Sequence, residues 1–311
     1  MLATSNLQCT FVVNEVIQYY KNKNSNVYMT MLDATKAFDK VNYVKLFKLL
    51  IKIGLCPLYC KFMVNLYTLQ SLNVKWGNCF SHAFNVCNGV KQGGVISPIL
   101  FGVYMDQLLQ VLAKSGLGCY IGKEFYGCMG YADDLIILAP TLLSTKRLLE
   151  LSCKVGSEYN IVFNVEKTKF INMDKSQNRV KCLYFNDICI DACESGEHLG
   201  NWIGTNCNDT NIDKTLTEFN CMVNYINSTF SFMPYDVKLQ LFNTYCMPLY
   251  GSVLWDLSSK KCDEFYRQWC KSLKKLLSLP KTTLSHLIHY ICNCHPVDNH
   301  IALRFLKFVN L

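Results

Sequence analysis

At 311 residues, half of them hydrophobic and only 17% charged, the chain can bury one large core or two modest ones and is too apolar to be disordered. Its net charge of +8 suits an anionic partner. Eighteen cysteines, in a chain too large to need a disulfide framework and starting without a basic, apolar signal segment, read as reduced thiols of the nucleus or cytoplasm, not of a secreted protein.

In chain order, residues 7–20 read as a helix, and 27–32 as an apolar strand that ends at Asp33. Residues 34–39 follow as a tight turn into a helix. Helical patterns cover 43–53 and 57–69, before a hairpin with strands at 72–76 and 80–86 that turns at Gly77-Asn78. A glycine-rich loop, 88–96, leads to Ser97-Pro98, a helix start, and an amphipathic run to Lys114. Apolar strands at 125–130 and 135–139 flank Tyr131-Ala132-Asp133-Asp134. A helix spans 141–159, and a second hairpin turns at Asn186-Asp187. Beyond Asn206 the pattern is helical throughout, with Lys271, Lys274 and Lys275 beside Trp269 and Leu273 on a helix at 263–279. That face is either a duplex-binding surface or an ordinary amphipathic helix. No uncharged run reaches the ~20 apolar residues of a membrane span.

The acidic tips carry the chemistry. Asp133 and Asp134, between two apolar strands, form either an ordinary polar turn or a divalent-cation site, since an unpaired buried carboxylate costs several kcal/mol. Asp33 also stands where an apolar strand ends, although a helix N-cap would suit its position too. Side by side, the two strands would bring Asp33 and Asp133 together for a two-metal, in-line phosphoryl transfer. Lys91, Gln92 and Gly93 offer donors and close backbone approach, yet a glycine-rich loop by itself is often a plain turn. The basic segments agree with a phosphate backbone: residues 21–61 hold eight lysines against two aspartates, a local +6, and residues 146–181 hold eight basic against four acidic, a local +4.

Taken together, Leu32 to Val41, Gly89 to Phe101, Tyr131 to Asp134, Asn164 to Lys169 and His198-Leu199-Gly200 resemble the ordered motifs of non-LTR retrotransposon reverse transcriptases. The resemblance implies an α+β fold: a polymerase palm, with a ferredoxin/RRM-like antiparallel sheet packed on helices, in residues 1–205 with a remnant of fingers, then an all-helical thumb in 206–311. It implies an RNA-directed DNA polymerase that adds dNTP to a primer 3′-hydroxyl on an RNA template, the primer or target being DNA. The cofactor would be two Mg²⁺ ions, or Mn²⁺ in their place, with no small-molecule cofactor and no membrane.

Residue by residue, it implies that Asp33 and Asp133 hold metal, that Asp134 is the third catalytic carboxylate, and that the Ala34 carbonyl faces a metal. Phe38 would exclude a 2′-hydroxyl, although a core phenylalanine would suit its position equally. Lys91, Gln92 and Gly93 would line the nucleotide pocket, Lys167 would protonate the leaving pyrophosphate, and Leu199 and Gly200 would form a primer grip. Only about 30 residues precede the first motif, so the chain is expected to be truncated in the fingers. The alternatives are an inactive nucleic-acid-binding remnant and a group II intron-type reverse transcriptase. Cys292, Cys294, His295 and His300 have zinc-ligand residue types without the spacing of a known finger.

Overall fold

The computed structural model describes residues 5–173, 180–205 and 207–310. By its contacts the chain divides into two compact units, Met1–His198 and Leu199–Leu311. Asn206, the boundary suggested by the sequence, lies outside the described residues, as do Asp174, Lys175 and Arg179 of the second basic segment. The division falls earlier than Asn206 because the strand Asn201–Gly204 packs against the helix Cys207–Thr229.

A six-stranded sheet organises the first unit, in the order Cys182–Phe185, Ile188–Cys193, Lys169–Asn172, Tyr28–Asp33, Asp134–Ala139, Cys128–Tyr131. Its last four strands, joined in sequence through the helices Ser97–Lys114 and Leu142–Glu158, make a β-α-β-β-α-β unit in which every neighbouring pair is antiparallel. One pair departs from the antiparallel expectation: Ile188–Cys193 runs parallel to Lys169–Asn172, with Phe170 opposite Ala192. The second strand of the added hairpin, not the first, meets the sheet edge. That hairpin turns through Asn186 and Asp187, both left-handed at φ 50° and 62°, a conformation these two residue types tolerate.

The strand Tyr28–Asp33 is buried on both faces, which is why it reads as a continuous apolar run. Tyr28 and Leu32 join the main core with Phe101, Leu108 and Leu148 from the two crossover helices. Met29 and Met31 point to the other face, where Gly196 packs so closely that an added Cβ would sit 2.9 Å from Met31 Sδ. Polar caps start the helices where expected: Ser5 accepts from the Gln8 amide, Asn42 from Lys45 and Thr141 from Ser144.

The expected hairpin at 72–86 is two short ladders, Ser71–Leu72 with Phe84–Asn85 and Lys75–Trp76 with Cys79–Phe80. Ser81 interrupts them, because its Oγ accepts from the Val74 amide at 2.9 Å and its carbonyl accepts from Asn73 Nδ2 at 2.8 Å.

The second unit packs the helices Cys207–Thr229, Tyr235–Tyr245, Lys260–Leu276 and Val297–Val309 around Phe219, Phe242, Phe265 and Trp269. Lys274 donates to Ser285 Oγ at 3.3 Å and Lys275 to Asn224 Oδ1 at 3.1 Å, so both bind their own unit, whereas Lys271 is exposed. No helix among the described residues is long and apolar enough to cross a membrane.

Candidate active site

The register of the central strands assembles the acidic site. Asp33 lies directly opposite Asp134, and the Ala34 amide donates to the Asp133 carbonyl at 3.3 Å, so carboxylates 100 residues apart share one sheet end. Tyr131 pairs with Asp134, leaving Ala132 and Asp133 as a two-residue turn. The turn costs strain, since Ala132 is left-handed at φ 51° without being glycine. All three aspartates are half-buried.

A second turn delivers Lys167. The Asn164 amide donates to the Asp33 carbonyl at 2.9 Å, while Asn164 Oδ1 accepts from the amides of Glu166 at 3.0 Å and Lys167 at 3.3 Å. This Asx turn sets Lys167 Nζ 3.3 Å from Asp33 Oδ2. The Lys167 side chain is 66% exposed, and so open a pair is worth at most about 1 kcal/mol.

Burial, and then the neighbouring charges of Asp133 and Asp33, push the Asp134 carboxyl up from 3.8 to about 6; Lys167 opposes the shift. The folded chain therefore retains this proton where an unfolded chain has lost it. Between pH ~4 and ~6 the folded state binds more protons than the unfolded, so this group's contribution to stability falls as pH rises through that window. Thermal unfolding without divalent ions should show it: the Tm of wild type relative to Asp134→Asn drops from pH 4 to pH 6.5. A constant difference would contradict the shift.

Beside the carboxylates lies a cavity of about 720 Å³, lined in part by Phe38, Pro98, Ile99, Asp106, Tyr131 and Ala132. Phe38 faces two surroundings. Its ring stacks on Phe101 with centroids 4.6 Å apart, and it also forms part of the cavity wall. It begins a 3-10 turn, Phe38–Lys40, where the sequence suggested entry into a helix.

The glycine-rich loop docks on that turn. Gly89 donates to the Val41 carbonyl and Val90 to the Phe38 carbonyl, each at 2.8 Å, and a Cβ on Gly89 would meet the Asp39 carbonyl at 2.9 Å. Gln92 Nε2 donates to Asp39 Oδ1 at 3.1 Å; Lys91, Gln92 and Gly93 are all exposed, and Gly93 is left-handed at φ 78°. In the second unit, Leu199 and Gly200 form a turn with positive φ at both residues, held by Tyr250 Oη on the Leu199 carbonyl at 2.8 Å and Lys214 Nζ on that of Gly200 at 3.1 Å.

Among the described residues no group of three or more His, Cys, Asp or Glu side chains forms a ready-made metal site. Cys292, Cys294, His295 and His300 therefore do not assemble a zinc site, and His300 Nε2 instead meets the Met247 carbonyl at 3.2 Å. The sheet-end donors still fit a hard divalent cation. They are carboxylate oxygens, and, after burial, the charges of Asp133 and Asp33 raise the Asp134 carboxyl while Lys167 lowers it. Sequence reasoning missed the positioning residues Asn164, Asp39 and Phe101. Asn164 was findable as an Asx turn, whereas Asp39 and Phe101 act through tertiary contacts that no local pattern announces.

Residues 3–203 match the family described as "Reverse transcriptase (RNA-dependent DNA polymerase)". The chain is 28% identical over 171 residues to the retrovirus-related Pol polyprotein from type-2 retrotransposable element R2DM of Drosophila melanogaster, covering 55% of this chain and 16% of that protein. It is 27% identical over 153 residues to the corresponding polyprotein from type-1 retrotransposable element R2 of Popillia japonica, covering 49% and 25% respectively. The chain thus matches a quarter or less of the length of these relatives. A telomerase structure from Candida albicans, in complex with a fragment of telomeric RNA, aligns with 98% of this chain and 53% of that one at 12% identity and a TM-score of 0.47.

Proposed function

The chain belongs to the reverse transcriptase (RNA-dependent DNA polymerase) family, and from that premise we propose that it is the catalytic part of a non-LTR retrotransposon polymerase of the R2 kind. In this reading it extends a DNA primer from dNTPs on an RNA template. The observation that carries the proposal is the register placing Asp33 opposite Asp134, with Asp133 in the adjoining turn.

Asp33 and Asp133, with the Ala34 carbonyl, are the groups that would hold divalent cations, Mg²⁺ first and Mn²⁺ as its substitute. Such ions, when bound, stabilise the charge that builds on the attacking and leaving oxygens of an in-line transfer. The protein's own part is alignment. The strand pair fixes the carboxylates, the Asx turn at Asn164 keeps Lys167 beside Asp33 as the proton donor to a leaving pyrophosphate, and the Gln92–Asp39 contact ties the glycine-rich loop to the Phe38 turn. Leu199 and Gly200 serve as a primer grip. Asp134 works as a carboxylate.

Extension of a primed RNA template with Mg²⁺ tests the reading. Wild type incorporates dNTP and Asp133→Ala does not, whereas equal incorporation by both would remove the catalytic assignment. Phe38 supplies a specificity prediction, because its ring borders the cavity on one side and packs on Phe101 on the other. Phe38→Val should lower discrimination against ribonucleotides by about tenfold or more, as expected when a steric contact of 1–3 kcal/mol is lost. Unchanged discrimination in single-nucleotide extension would reduce Phe38 to a packing residue.

A further inference from the structure

Every residue from Ser71 to Asn85 is exposed, so the two-ladder ribbon they form stands free of both hydrophobic cores. An isolated two-stranded ribbon is marginally stable in water, and this one displays large apolar side chains: Trp76 is 86% exposed and Phe80 66%. Side chains alternate across the strands. Trp76 stands opposite Cys79 and shares a face with Val74, whereas Lys75 stands opposite Phe80 with its ammonium 5.7 Å from that ring. The tip is fixed by a two-residue loop in which Gly77 is left-handed at φ 60°.

The stretch of sequence that contains the ribbon carries charge of one sign. From Lys40 to Met105 the sequence contains no aspartate or glutamate, while it contains seven lysines. Aromatic rings presented within a purely basic segment suit a flexible polyanion with π-faces: phosphates take the lysines and unpaired bases stack on the rings, without sequence preference. We propose that the Ser71–Asn85 ribbon is a binding platform for single-stranded RNA, with a base stacked on Trp76 and Lys75, on the ribbon's other face beside Phe80, adding positive charge. The choice of RNA over DNA rests on the polymerase reading above; the platform itself does not.

Fluorescence anisotropy of a labelled 12-nucleotide oligouridylate, without dNTP or divalent ion, tests the platform apart from the polymerase reaction. Binding by wild type should weaken as salt rises, and Trp76→Ala should weaken it about tenfold, with Trp76→Phe in between. Because the ribbon joins neither core, circular-dichroism melting of all three proteins should coincide. Equal affinity for wild type and Trp76→Ala would overturn the proposal. So would a Trp76-independent affinity equal to that for heparin, which has charge without bases, or tighter binding of oligothymidylate than of oligouridylate. Concentration-dependent self-association that Trp76→Ala abolishes, with no RNA binding, would instead assign the ribbon to a second copy of the chain.

Discussion

Asp33→Asn should abolish RNA-templated nucleotide addition, lowering the rate by about 10³-fold or more, while leaving the protein folded. In the role proposed for Asp33, holding the reacting phosphate's metal would be worth several kcal/mol of transition-state stabilisation, and each 1.4 kcal/mol is a factor of ten. The accompanying effect on stability has the opposite sign. Three half-buried carboxylates meet at one sheet end, and removing the Asp33 charge relieves one of the two repulsions that, after burial, raise the Asp134 carboxyl. The Lys167 ion pair lost with it is too exposed to weigh heavily. Without divalent ions, the variant should therefore melt a few degrees above wild type at pH 7.5. Scanning calorimetry with chelator present reads this directly, and a fall in Tm would show that the Lys167 contact outweighs the repulsion.

Trp269→Ala should unfold the second unit first. Trp269 is 1% exposed, its Nε1 donates to Met247 Sδ at 3.4 Å, and its ring stacks on Tyr266 with centroids 6.2 Å apart. Truncating so large a buried side chain costs about 3–5 kcal/mol, a substantial part of what a unit of this size possesses. Hydrogen exchange should report faster opening of the helices Cys207–Thr229 and Lys260–Leu276. Protection of the strands Tyr28–Asp33 and Asp134–Ala139 should stay as in wild type. Uniform loss of protection across both units would contradict their separation into two cooperative cores.

The sequence was most legible where local chemistry and tertiary position agree. The strands ending at Asp33 and resuming at Asp134 are doubly buried, so their apolar runs announce them, and the change to carboxylate marks where burial ends. The Asn186-Asp187 and Gly77-Asn78 turns were legible because their residues tolerate or favour left-handed backbone. Ala132 was not, since nothing in alanine favours φ 51°; the tight Tyr131–Asp134 pairing imposes it. Beyond the pairing of the two acidic-tipped strands, strand order was also hidden. Periodicity reports which face a residue occupies and not which strand lies beside it, so the parallel addition of Ile188–Cys193 to the sheet edge had no local signal. Within the site, the acidic residues were legible as types, but the Asp33–Asp134 register, the Lys167 ion pair and the Gln92–Asp39 tie depend on contacts between segments far apart in sequence.

Titration of Mn²⁺ into the chain, followed by electron paramagnetic resonance of the free ion, tests the shared carboxylate site most directly. Wild type should remove Mn²⁺ from solution, with affinity that falls below pH 6 as Asp134 takes up its proton, and Asp33→Asn and Asp133→Asn should each bind at least tenfold more weakly. Identical Mn²⁺ isotherms for wild type and both variants would contradict the account.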